Sequence, residues 1–153
     1  MLRSSLLLCV AFSLVSVSTA IADERHVVKV EVRMQTTGDD KDGDTQVLDT
    51  ITLKDGRQGA SIDCCSAGGQ VDTWTAGADQ TRPFNHLTPN LTRKDMLGAT
   101  VMIGMRSNGN DTWVFTPTII VSYDQGAADT WNLGSVKLSS GGGYVSNKYK
   151  IPE

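Results

Sequence analysis

Asp39, Asp40, Asp42 and Asp44 stand within six residues of one another, in the run Thr37-Gly38-Asp39-Asp40-Lys41-Asp42-Gly43-Asp44. Carboxylates this close repel one another unless water or a hard cation neutralises them, and calcium prefers such oxygen ligands on a flexible loop. The run is not an EF-hand. With Asp40, Asp42 and Asp44 as the first ligands, Thr45 falls where glycine is needed and Ile51 where the last acidic ligand belongs. The plainer reading is a solvated acidic hairpin loop that discourages edge pairing and aids solubility.

Cys64 and Cys65 are the second chemical feature. In an oxidising compartment, adjacent cysteines form a strained vicinal disulfide, remain two buried thiols, or bond to another chain. Gly59-Ala60-Ser61 before them and Ser66-Ala67-Gly68-Gly69 after them describe a loop of small residues. A bridge there would act as a stiff turn or a redox switch, whereas free thiols would be small hydrophobes ending a strand. The two histidines, His26 and His86, have no metal-binding spacing, and the chain holds no Gly-x-Ser-x-Gly elbow and no phosphate loop. Nothing in the sequence brings Cys65 to His86 as nucleophile and base. A carboxylate pair for glycoside hydrolysis stays open, because separation in space is not legible in an Asp-rich chain. A binding protein is therefore favoured over an enzyme.

These residues must be held by some framework, and composition narrows it. The 153-residue chain has 17 acidic residues, of which 14 are Asp and 3 are Glu. Asp prefers turns and caps while Glu favours helices, so the ratio points away from a helical bundle. With 15 Gly and short runs of Val, Ile, Thr and aromatics, it points to an all-β domain. The net charge of −3 argues against nucleic-acid binding, although a local basic patch remains compatible with it.

Residues 1–22 read as a cleaved signal peptide: Arg3 supplies the charge, Leu6 to Val17 the apolar stretch, and Ala20-Ile21-Ala22 a small-x-small site. The residue before Cys9 is Leu8, which argues against lipoprotein processing. No later stretch approaches the roughly 20 apolar residues of a membrane span. The expectation is a secreted protein, extracellular or periplasmic, with a single domain over 23–153. Cleavage would remove one basic residue and no acid, leaving a net charge of −4.

Period-2 alternation runs through the chain. Val28, Val30, Val32 and Met34 share one face of a first strand, Val47, Ile51 and Leu53 mark a second, and Val71 to Thr75 a short one. Leu97, Ala99, Val101, Ile103 and Met105 alternate most strongly, and Ser107-Asn108-Gly109-Asn110 is expected to turn the chain after them. Trp113 to Phe115 and Thr118 to Tyr123 follow across Pro117, then Trp131 to Leu138 and Tyr144 to Tyr149 across three glycines. The sum is an antiparallel β-sandwich of about seven or eight strands with little helix. Thr92-Arg93-Lys94-Asp95 resembles a capping box for one short helix.

All three tryptophans sit in the tripeptide Asp-Thr-Trp, at 72–74, 111–113 and 129–131. Asp is suited to bonding backbone amides where a loop ends, Thr to extended backbone, and Trp to anchoring the core; exposed rings would instead form a sugar-stacking or membrane platform. Two glycosylation sequons, Asn90-Leu91-Thr92 and Asn110-Asp111-Thr112, are chemically available in a eukaryotic host.

The order Val-x-Val-x-Val-x-Met-Gln-Thr-Thr-Gly-Asp over 28–39 resembles the opening of PLAT/LH2-type β-sandwich domains. Leu97-Gly98, alternating Val101, Ile103 and Met105, Ser107-Asn108-Gly109-Asn110-Asp111 and then Trp113 before Ile119-Ile120-Val121 resemble that family's later strand, polar loop and Trp-bearing strand. Lys-Asp-Gly-Asp replaces the family's Ala-Gly-Thr-Asp, and the segment after Tyr123 has no counterpart. The resemblance implies a module that binds a lipid surface or a protein partner, sometimes with calcium between the two loops. Carried over, its ligand candidates are Asp39 and, more loosely, Asn108 and Asp111. The rival expectation is a carbohydrate-binding or carbohydrate-cleaving protein, and a third is a small secreted inhibitor or effector.

Overall fold

The computed structural model describes residues 24–39, 41, 45–64 and 76–153. Among these residues, eight strands, β1 (Val27–Thr36), β2 (Gln46–Thr52), β3 (Gln58–Cys64), β4 (Asp79–Pro83), β5 (His86–Leu87), β6 (Thr100–Tyr123), β7 (Asp129–Asn132) and β8 (Val136–Lys150), accompany one short helix, α1 (Arg93–Met96). The protein is all-β and every strand pair is antiparallel. The strands join into one sheet that curls into a half-barrel. The all-β antiparallel class expected from the sequence is thus met by one curled sheet.

The 24-residue β6 is the axis of the fold. β1 runs along its second half, with Thr36 opposite Phe115, and β2 along its first half, with Gln46 opposite Arg106. The connection between β1 and β2 keeps the same course: Thr37 and Gly38 N–H donate to Val114 O, and Val114 N–H donates to Asp39 O. On its other side β6 pairs with β7 and β8, from Val121 opposite Asp129 to Thr100 opposite Lys150. β4 and β3 flank β1 and β2 respectively.

Ser107 to Asn110 does not reverse the chain as expected; β6 runs through it, with a register irregularity against β8 at that level. The glycines at 141–143 likewise lie inside β8 rather than between two strands. Local turn chemistry yields here because pairing along β6 satisfies backbone groups that a hairpin would leave at its ends. Pro117 interrupts the other side instead. Its carbonyl accepts from Leu133 N–H but it has no N–H to return, and the β6 partner breaks there into β7 and β8.

Alternation holds along β6: Val101, Ile103, Met105, Trp113, Phe115, Ile119 and Val121 are all buried. In β1 a bulge between Val27 and Lys29 shifts the register, so Val27 is buried and Val28, expected inside, is 56 % exposed. In β2 the inward row Val47, Asp49, Ile51 includes a fully buried aspartate, whose Oδ1 accepts from Gly104 N–H at 3.2 Å. Val71 to Thr75 lies outside the described residues. β3 and β4 escaped the pattern because small residues in one and polar residues of a half-exposed strand in the other carry little alternation.

The short helix forms as its capping box requires. Asp95 N–H donates to Thr92 Oγ1, and Thr92 N–H donates to Asp95 Oδ2. Its surrounding connection gathers the ends of the sheet: Val27 N–H donates to Leu91 O, Gly98 N–H to Ile151 O, and Ile151 N–H to Ala99 O. The start of β1 and the end of β8 are thus fastened to one segment.

Candidate functional site

The loop after β1 and the middle of β6 meet. Beyond the main-chain bonds of Thr37, Gly38 and Asp39, the Thr45 hydroxyl donates to Asp111 Oδ2. Asp111 is buried, while the Asp39 and Asn108 side chains are exposed. Asp40, Asp42 and Asp44 lie outside the described residues. Lys41, inside the same acidic run, is only 1 % exposed, and its Nζ donates to Thr45 O at 2.7 Å. Sequence reasoning missed this lysine as a structural element. Its signal was being the one cation among four carboxylates, which gives the loop an ammonium of its own. Among the described residues, no three or more of His, Cys, Asp and Glu converge as a metal-binding group. Beside this junction, Asn110, Asp111, Thr112, Ser139, Ser140 and Gly141 line an open, polar cleft of about 370 Å³.

The second site lies at the β7–β8 edge. Trp131 is opposite Ile119 and Tyr149 opposite Val101, both on the concave side of the sheet. These positions are far apart along β6, but the curl brings the two aromatics to one cleft of about 390 Å³, shared with Thr130, Asn132, Leu133, Lys150 and Pro152. Both rings are partly buried and pack on the core with Leu133 and Val145. Burial raises the Tyr149 phenol above its ordinary value, and a hydrogen bond with the Asn147 side chain lowers it in part.

The tryptophans therefore differ in role. Trp113 is fully buried, stacked on Phe115 at 3.7 Å between ring centroids, with its Nε1–H donating to Thr36 Oγ1. Trp131 faces the edge cleft, and Trp74 lies outside the described residues. The aspartates of the two described tripeptides each bind a side chain. Asp111 accepts from Thr45, and Asp129 Oδ2 accepts from Tyr123 OH at 2.9 Å and Arg93 Nε at 2.7 Å. Comparison with protein-family models, with curated proteins and with solved structures finds no match.

The Tyr123–Asp129–Arg93 group is a clamp. Burial, reinforced by the Asp129 carboxylate, raises the Tyr123 phenol far above its usual range. The Arg25 guanidinium lies 4.4 Å from the centre of the Tyr123 ring and donates to Gln125 O and Ala127 O, fastening the start of the described chain to the β6–β7 turn.

The other sequence candidates lie elsewhere. Cys64 ends β3 opposite Val47, and Cys65 is outside the described residues. His86, on β5, is exposed and opposite Ser61, while His26 is exposed and donates its N–H to Asp124 Oδ1 at 3.0 Å. Asn90 is exposed in a left-handed turn at φ 59, and Asn110 lines the polar cleft. Among the described residues, no helix is long and apolar enough to cross a membrane.

Proposed function

We propose that this protein is an exported, non-catalytic binding module that takes a carbohydrate in the cleft between Trp131 and Tyr149. The observation that carries the reading is the composition of that cleft: two aromatic side chains with Thr130, Asn132 and Lys150 around them. Aromatic rings suit the apolar faces of a pyranose, and a few polar groups at the margin fix its hydroxyls. No lining residue is a carboxylate. The adjacent acids are engaged, Asp129 with Arg93 and Tyr123, and Glu153 with Lys54. An acid pair for glycoside cleavage is thus lacking in the cleft, and binding is the chemistry its residues support.

Titration with a glycan array and with soluble oligosaccharides, followed by tryptophan fluorescence, tests the reading. A binding saccharide changes the Trp131 emission, and Trp131→Ala weakens its affinity by about tenfold or more. Absence of any saccharide response, or affinity unchanged in Trp131→Ala, would sink it.

A second reading is calcium-assisted recognition of a lipid surface or protein partner where the loop after β1 meets β6, as the PLAT resemblance implies. It is favoured by the direct junction between the loop after β1 and the middle of β6. Flotation with liposomes in calcium but not in chelator would support it over the carbohydrate reading.

A further inference from the structure

We infer that the carbohydrate is an acidic polysaccharide, a chain of uronate sugars, which leaves the cleft and crosses the β8 edge onto the outer face of β8 and β6. The inference rests on the carbohydrate reading above and specifies its ligand. Lys150 lines the cleft, and on the outward face of the same strand Lys148 and Tyr144 follow it. Tyr144 pairs with Arg106 across the strands. Lys150, Lys148 and Arg106 are exposed, and among the described residues none of them forms a salt bridge. The outward positions of β2, of the first half of β6 and of the last half of β8 contain no carboxylate. Asp63 stands opposite Leu48 on β3, and the Glu153 carboxyl is held low first by Lys54 and then by Lys150. In a chain of net charge −3 this is a local reversal of sign.

Tyr144 gives that face a sugar platform. A Cβ at Gly104 would collide with its hydroxyl and lie 2.7 Å from its ring, so the ring rests on the bare glycine backbone. Its OH donates to Met102 Sδ at 3.3 Å. The side chain is nevertheless 42 % exposed, because it lies along the sheet and presents its other face to solvent. From Tyr144 to Lys150 the strand spans ~20 Å, the reach of an oligosaccharide rather than of one sugar. A densely charged polyphosphate would meet three cations on a molecule that is acidic elsewhere. A ring lying flat does not project into a bilayer, whereas alternating pyranose faces and single carboxylates match aromatics interleaved with lysines.

Affinity electrophoresis and calorimetry with polygalacturonate, alginate and hyaluronate, each beside its carboxyl-reduced neutral form, test the proposal. At least one acidic polymer binds about tenfold or more tightly than its neutral form, and the advantage shrinks as salt is raised. Lys148→Gln/Lys150→Gln removes the advantage while leaving the thermal midpoint unchanged, and Tyr144→Ala weakens both forms. Equal binding of acidic and neutral forms, still abolished by Trp131→Ala, overturns the acidic ligand and leaves the carbohydrate reading standing. No binding of either form overturns both. Tighter binding to duplex DNA or to anionic phosphatidylserine vesicles than to any uronate polymer overturns the acidic-polysaccharide assignment.

Discussion

The Thr45 hydroxyl donates to the buried carboxylate of Asp111, tying the crossing between β1 and β2 to the middle of β6. The two residues are 66 positions apart, and their bond lies next to the register irregularity between β6 and β8. Hydrogen bonds to a charged group contribute about 1.5–3 kcal/mol. Thr45→Val is expected to lower unfolding free energy by about 2 kcal/mol, read from the denaturant midpoint at constant m-value. Asp111→Asn keeps an acceptor and is expected to cost less.

Asp49 makes a second internal polar contact, on an otherwise apolar inner row. Replacing it with alanine leaves Gly104 N–H without that acceptor and creates a void between Val47 and Ile51. The expected loss is about 1–3 kcal/mol. Stability equal to the wild type would show that the Gly104 bond contributes nothing.

The calcium reading of the acidic loop has a direct measurement. Millimolar calcium is expected to raise the thermal midpoint relative to chelator, and Asp42→Asn/Asp44→Asn to remove the difference. Equal midpoints in calcium and chelator for the wild type would eliminate bound calcium. Lys41 already brings a positive charge into the loop, so the shift is expected to be modest.

Alkaline pH tests the Tyr123 clamp. Its phenol is raised far above the ordinary value of about 10, so below that value both the folded and the unfolded states are protonated. Above it the unfolded state releases its proton first, and this part of the stability is lost as pH rises, by up to about 1.4 kcal/mol per unit. Tyr123→Phe is expected to start less stable, through loss of the bond to Asp129, but to decline less steeply between about pH 10 and 11.5. Identical slopes for the two proteins would contradict the raised phenol.

The acid limb has a weaker counterpart. Arg33 beside Asp79 and Arg57 beside Asp55 hold those carboxyls below their usual range. Stability from these pairs is present above the unfolded carboxylate values and fades as pH falls through the lowered ones. Both pairs are exposed, so about 0.5 M salt is expected to erase most of their contribution, and Arg33→Gln should flatten the acid dependence only at low salt.

Much of the local structure was legible in the chain. Val30, Val32 and Met34 on β1, Val101, Ile103 and Met105 on β6, and the Thr92–Asp95 capping box each obey an interaction between residues a few positions apart. The site was less legible. The loop after β1 meets the middle of a strand rather than the second polar loop the sequence suggests, and the burial of Lys41 and the opposite exposures of Asp39 and Asp111 follow from what covers them. Val28 failed because a bulge, invisible in an apolar run, shifts the register by one residue.

The sequence by itself determined the all-β class, the inward rows of the strong strands and the short helix, since these depend on neighbours along the chain. Tertiary structure alone decided that Ser107 to Asn110 continues a strand, that Trp113 is core while Trp131 lines an edge, and that Tyr149 joins it. The identical tripeptides at 111–113 and 129–131 carry no local difference in type. Trp113 lies between the β1 and β8 sides of β6, whereas Trp131 has β6 on one side only, and that depends on pairing between distant segments.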